Sequence, residues 1–230
     1  MRLDSEKEKS GHNRGSLNRL TTHTLHCFEG TTLFDKLARC LCGVGCMPRK
    51  ELYEAWEMAK RVRRRFRGGR VIDMACGHGL LAHAMLLLDS NSESAIAVDQ
   101  NLSVCGQKCA DEIQKTWPRL AGRIQMRETD FGTIDLHEDD LVVSAHACGG
   151  LTDRIIDLAV AKRCRLAVLP CCHSLRKQDT GGFDAWLDGS LAIDIQRVTM
   201  LRRAGYSVRM QKIPDEITPK NRLILAEPEA

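Results

Sequence analysis

Aromatic residues are scarce in this 230-residue chain, at 4%, and no apolar run approaches the roughly 20 residues that span a bilayer. The first shortage argues against an extensive base-stacking platform, the second against a transmembrane segment. The opening stretch "MRLDSEKEKSGHNRGS" lacks the apolar centre of a secretory signal, so a cytoplasmic location with no membrane partner is expected. Neither sign of charge dominates. Thirty-four Lys and Arg against 30 Asp and Glu leave +4, which permits an acidic partner without demanding one. The 11 cysteines are scattered through core-like stretches rather than spaced as a secreted framework, so most are expected to be free thiols. Cys40, Cys42 and Cys46 in "CLCGVGC" lack a standard zinc spacing and fit helix-end packing better.

Residues 1–20 are polar and expected to be mobile, and residues 21–69 form a helical extension. Its helical block, Thr31 to Phe66, breaks near "CGVGCMPRK", where Pro48 opens the second piece. The extension closes with "KRVRRRFRGGR", in which Arg63 and Arg64 are candidate phosphate contacts for a nucleic acid; a solvated helix face is the competing reading. From residue 70 to 230 short apolar strands alternate with amphipathic helices. The helix after strand five is expected over "FDAWLDGSLAIDIQRVTMLRRAG", with an interruption at Gly189. A parallel crossover needs a dozen or more residues, and only about eight join "YSVRMQKI" to "NRLILAEP", so these strands form an antiparallel hairpin. The fold class is α/β: a doubly wound, mostly parallel, seven-stranded Rossmann-like sheet with an antiparallel last strand.

In "VIDMACGHGLLAHAML" the first strand runs into a turn built on Gly77 and Gly79, then a helix. These glycines let the backbone turn sharply and approach a ligand. Asp99 ends strand two, where a carboxylate accepts hydrogen bonds from a ribose. "GHGLLA" also fits a dinucleotide fingerprint, but Asp73 would repel a pyrophosphate and attract a ligand bearing ammonium and sulfonium groups. This disfavours a nicotinamide-dependent oxidoreductase.

"VIDMACGHG" resembles motif I of the class I S-adenosylmethionine-dependent methyltransferases, with Ala75 where their first glycine usually stands. "AVDQN" resembles their motif II, and "ETDF" the segment whose acid contacts adenine. The resemblance implies S-adenosyl-L-methionine as cofactor, with Asp73 on the methionine portion and Asp99 on the ribose. It places Asp130 at the adenine, with Cys76, Gly77, Gly79, Gln100, Phe131 and Ala145 lining the same cleft. Asp130 as a cap for the segment after it is the alternative.

Ligands of an open parallel sheet sit beyond the carboxyl ends of its strands. Strand four ends in "SAHACGG" and strand five in "PCCHS", which converge His146, Cys148, Cys171, Cys172 and His173 there. The loop "PDEITPKN", with Lys220 and Asn221, is expected to overhang this edge. "HACGGLTD", "CCH" and "ITPKNR" resemble a smaller methyltransferase group that includes the tRNA acceptor-stem ribose 2'-O-methyltransferases and the glutathione S-transferase C-terminal-domain-containing protein. The tRNA enzymes' accessory zinc-binding region has no clear counterpart here.

Several roles compete at this edge. His146 or His173 can take a proton from the acceptor, imidazole being the side chain suited to that near neutral pH, with Cys171 and Cys172 as catalytic neighbours or pocket wall. A cysteine nucleophile for cytosine C5 and a Cys-His metal site are the alternatives, the metal reading being disfavoured because adjacent cysteines rarely aim at one ion. Pure packing is the remaining reading. Cys148, Lys220, Asn221, Arg63 and Arg64 are the candidate substrate contacts. RNA (tRNA or rRNA) is the expected substrate. A protein or small-molecule acceptor, or a non-catalytic binding module on the same fold, is the rival.

Overall fold

The computed structural model describes residues 13–229. Two helices open the chain, α1 (Leu33–Val44) and α2 (Arg49–Arg65). Thr32 caps α1 by accepting from the Asp35 amide, Gly45 ends it in a left-handed conformation, and Pro48 stands at the N-cap of α2. The alternating part then runs β1 (Val71–Met74), α3 (Leu80–Leu88), β2 (Ala95–Asp99), α4 (Val104–Thr116), β3 (Ile124–Glu128), β4 (Leu141–Ser144), α5 (Gly150–Ala161), β5 (Arg165–Val168), α6 (Gly189–Arg203), β6 (Tyr206–Lys212) and β7 (Arg222–Pro228).

The seven strands form one sheet in the order β3-β2-β1-β4-β5-β7-β6. Strands β1 to β5 pair in parallel, while β7 runs antiparallel to both β5 and β6. The expected fold class and terminal hairpin are therefore observed. Alternate strand residues point to opposite faces, and the central strands are apolar on both. Val71, Ala95, Ala97, Leu141 and Val143 join α1 to α4 in one core; Ile72, Met74, Ile96, Val98 and Val142 join α5 and α6 in the other.

Three differences from the sequence reading have local causes. Residues 1–12 of the stretch expected to be mobile lie outside the described residues, but Leu20 is fully buried and its amide donates to Met47 O. The helix expected from Phe183 is only a short turn there. It starts at Gly189, because Asp188 caps it by accepting from the Leu191 amide. Cys46 does not simply pack: it forms a disulfide with Cys105 of α4, a partner 59 residues away.

Candidate active site

The order reverses beside β1, which is flanked by β2 and β4. This is the switch point at which open α/β sheets bind ligands. The turn after β1 has the shape the site needs. Gly77 and Gly79 have φ of 56° and 68°, and Ala75 adopts φ 53°, so the alanine keeps the glycine-type backbone of the position it fills. A side chain on Gly77 would face the ring of His146 at 3.9 Å, and one on Gly79 would press on Met126 at 3.1 Å. The turn at Gly77 and the ring of His146 thus stand close together at the strand ends.

Asp99 reaches this turn from the end of β2. Its carboxylate accepts from the Gly77 amide at 2.9 Å and the Asn101 amide at 3.2 Å. Each carboxylate oxygen keeps a further lone pair for a ligand hydroxyl. Asp73 shares a strand face with Val71 and so lies under α3, where it accepts from the Ala82 amide at 3.1 Å. Burial, opposed by that amide and reinforced by Asp99, pushes its pKa up to about 8. Cys76 is buried beneath the turn, and burial raises its thiol as well.

Asp130 performs the capping role weighed against adenine contact. It accepts from the Gly132 amide at 2.7 Å, from Arg154 at 2.6 and 2.9 Å, and from Gln100 at 3.1 Å. The Arg154 bonds come first in holding its pKa down to about 2. Phe131 is buried, with the Arg154 guanidinium 4.7 Å from its ring centroid. Ala145 is buried at the exit of β4.

The two histidines part company. The His173 side chain is 3% exposed, and its Nε2 lies 2.8 Å from Asp194. Asp194 also binds Arg197 at 2.9 Å and Arg222 at 2.6 Å, and Arg197 continues to Asp153 at 2.7 Å. Burial opposes the charge on Asp194, but the His173 and Arg222 bonds win and hold its pKa low. His173 of "CCH", Asp153 of "LTD" and Arg222 of "PKNR" thus meet on Asp194 and Arg197 of α6. His173 is thus held in the scaffold by its Nε2, while its buried Nδ1 has no partner. His146 is half-buried and faces the turn.

The expected substrate contacts are redistributed. Arg63 is buried, its side chain 2% exposed, and it pairs with Asp89 at 3.2 Å and Ser92 at 2.8 Å, so it cannot touch a polyanion. Arg61 pairs with Glu57, Arg65 with Glu227, and Arg70 with Asp140 at 2.7 Å. This run also leads into the start of β1, at the opposite end of the sheet from the glycine turn. Arg64 is exposed at that same far end. Asn221 is buried, and its amide donates to Ile213 O and Asp215, bracing its own loop rather than facing substrate. Lys220 is exposed on that loop.

Two features escaped the sequence reading. Glu51 of α2 lies 2.6 Å from His78 Nδ1 inside the glycine turn. Burial works against the Glu51 charge, yet the His78 bond lowers its pKa, and the same bond raises that of His78. "GHG" advertises a histidine at the turn, but only the packing of α2 against α3 reveals its partner. The other feature is the segment between β5 and α6, which exposes Leu175, Leu187 and Trp186, the last at 84%. Elsewhere, a 490 Å³ groove lies at the β7–β6 edge against α6, with β4 and β5 between it and β1.

With this geometry in view, the comparisons agree on the fold. A family described as a methyltransferase domain matches residues 49–178, more than half of the chain. The chain belongs to this methyltransferase family. The matched span takes in α2, in accord with the contact of Glu51 with the turn. No curated protein matches. Among solved structures, an O-methyltransferase family protein from Burkholderia thailandensis has 16% identity and a TM-score of 0.52, covering 92% of this chain and 64% of its own. The B. subtilis tRNA methyltransferase TrmK has 18% identity and a TM-score of 0.50, covering 76% and 65%. The pyocyanin biosynthetic protein PhzM has 17% identity and a TM-score of 0.51, covering 90% and 61%. The chain thus spans somewhat less than two thirds of these three. At such identities the likeness concerns the fold alone. Among the described residues no helix is long and apolar enough to cross a membrane.

Proposed function

We propose that the chain is a cytoplasmic S-adenosyl-L-methionine-dependent methyltransferase whose acceptor is RNA. The carrying observation is the Asp99 carboxylate bound to the Gly77 amide at the switch point, which joins a ribose-accepting group to the glycine turn. The residues fit the cofactor. Asp99 would hold its ribose hydroxyls, and Gly77 and Gly79 would let the backbone lie against its methionine portion. Asp73, ionised by a neighbouring ammonium, would supply the compensating charge. Gln100, Asp130 and Phe131 would border the adenine from the ends of β2 and β3.

The bound cofactor supplies an electrophilic methyl carbon on sulfur. The protein's task is to align an acceptor with it and receive the acceptor's proton. His146, beside Gly77, would receive that proton, and the bond between Glu51 and His78 would stiffen the turn. Support for an RNA acceptor comes from the β5–α6 segment rather than the basic run. Trp186 and Leu175 are exposed in this segment together with Arg176 and Lys177, although Asp179, Asp184 and Asp188 are exposed there too; the support is therefore the one accessible aromatic ring, a surface on which a base can stack.

Labelled-cofactor transfer into separated RNA, protein and metabolite pools, followed by nucleoside mass spectrometry, tests the reading. Label in a methylated nucleoside is the expected result. Label confined to protein or metabolites overturns the acceptor, and cofactor or RNA binding without turnover supports a non-catalytic module instead.

A further inference from the structure

The strand ends bring three thiols to one point. Cys148 Sγ lies 3.4 Å from both Cys171 Sγ and Cys172 Sγ, and the latter two are 3.8 Å apart. Neighbouring residues of a strand point to opposite faces, which is why adjacent cysteines rarely share a target. Here β5 ends at Val168, so Cys171 and Cys172 lie beyond strand geometry. Cys148 and Cys172 are held side by side by a parallel bridge, with the Gly149 amide donating to Cys172 O at 3.1 Å.

These separations lie within about 0.4 Å of those in a thiolate-bound metal site. Zinc holds thiolates at about 2.3 Å, which at tetrahedral angles puts the sulfurs about 3.8 Å apart. We infer that Cys148, Cys171 and Cys172 form a three-thiolate site for a zinc-like divalent cation, whose fourth position is open to solvent or to a substrate heteroatom. Binding forms three metal–sulfur bonds and releases the three thiol protons, leaving the centre with one net negative charge. Cys148 and Cys172 are exposed and Cys171 half-buried, so an ion can enter from solution. Three protein ligands with an open fourth position is the arrangement in which bound water or substrate is activated. The site sits on the edge where the acceptor would lie, but the inference stands whether or not that acceptor is RNA.

The full chain, stripped of metal and kept under a phosphine reductant, is titrated with Co²⁺ and then Zn²⁺. One Co²⁺ per chain with thiolate-to-cobalt charge-transfer absorption, displaced by Zn²⁺, is expected. Zinc should protect Cys148, Cys171 and Cys172 from alkylation, mapped by mass spectrometry in the unmutated chain. C148S, C171S and C172S should each weaken zinc binding on the order of 100-fold, while C27S leaves it unchanged. The inference is overturned by absence of a stoichiometric cobalt spectrum, by its persistence in C148S, or by protection at Cys46, Cys105 and Cys109, the other group of three close sulfurs among the described residues.

Discussion

The two ends of the parallel sheet treat their reactive side chains in opposite ways. Where the strands begin, positive charge is dense and engaged: Arg63 binds Asp89, Arg70 binds Asp140, and Arg165 donates to the carbonyls of Arg67, Gly68 and Asp139. Where the strands end, His146 faces the glycine turn, two of three clustered thiols are exposed, and Trp186 stands in solvent. Most of the arginine run is therefore not free charge, Arg64 being exposed. The first end is fastened by paired ions, and the second keeps groups that a ligand can still engage.

His146 offers the sharpest way to break this contrast. Replacing it with Ala should lower turnover about 100- to 10,000-fold while leaving cofactor affinity nearly unchanged, as read from single-turnover rates and calorimetry. An equal loss from His173→Gln in a variant that stays folded would move the proton acceptor to the scaffold histidine.

Asp194 tests how the far side of the reactive end is anchored. Asp194→Ala removes one of the two carboxylate partners of buried Arg197 and the carboxylate shared by Arg222 and His173, and should destabilise the fold by about 1–3 kcal/mol in urea unfolding. A change under about 1 kcal/mol, the range of an exposed pair, would mean that the network is not a structural anchor.

The comparison of basic run with exposed loop is sharpened by RNA affinity. Trp186→Ala should weaken binding by about 1–3 kcal/mol through lost stacking, without altering stability. Arg64→Ala, at the opposite end, should change it far less; the reverse ranking would return RNA to the arginine run.

A pH-dependent effect concerns Asp73. In the folded chain its carboxyl keeps its proton up to about pH 8, whereas the unfolded chain releases it near the ordinary carboxylate value. The native state then binds more protons than the unfolded one across that window, so this group's contribution to stability falls as pH rises from about 4 to 8. Asp73→Asn should flatten that decline in chemical denaturation measured across the range. An unchanged slope would show that Asp73 is ionised throughout.

Much of this architecture was legible from local pattern. Apolar runs such as "RVIDMAC" mark doubly buried strands, a connection of about eight residues excludes a parallel crossover, and the glycine spacing marks the turn. Partners distant in sequence were not legible. Nothing near Arg63 announces Asp89, nothing near His78 announces Glu51, and the departure from strand geometry that turns Cys171 and Cys172 toward Cys148 is a backbone event. Gly189 was read as an interruption rather than as the start of α6, although "DGS" carries the capping aspartate in plain view.

The central claim is that Asp99 and the glycine turn form a nucleoside-binding cleft for S-adenosyl-L-methionine. Titration calorimetry of that compound into the intact chain and into Asp99→Ala tests it most directly. The account predicts saturable one-to-one binding, weakened about 10- to 150-fold in the variant, since a hydrogen bond to a charged group is worth about 1.5–3 kcal/mol. No saturable binding, or the same affinity in both proteins, would contradict it.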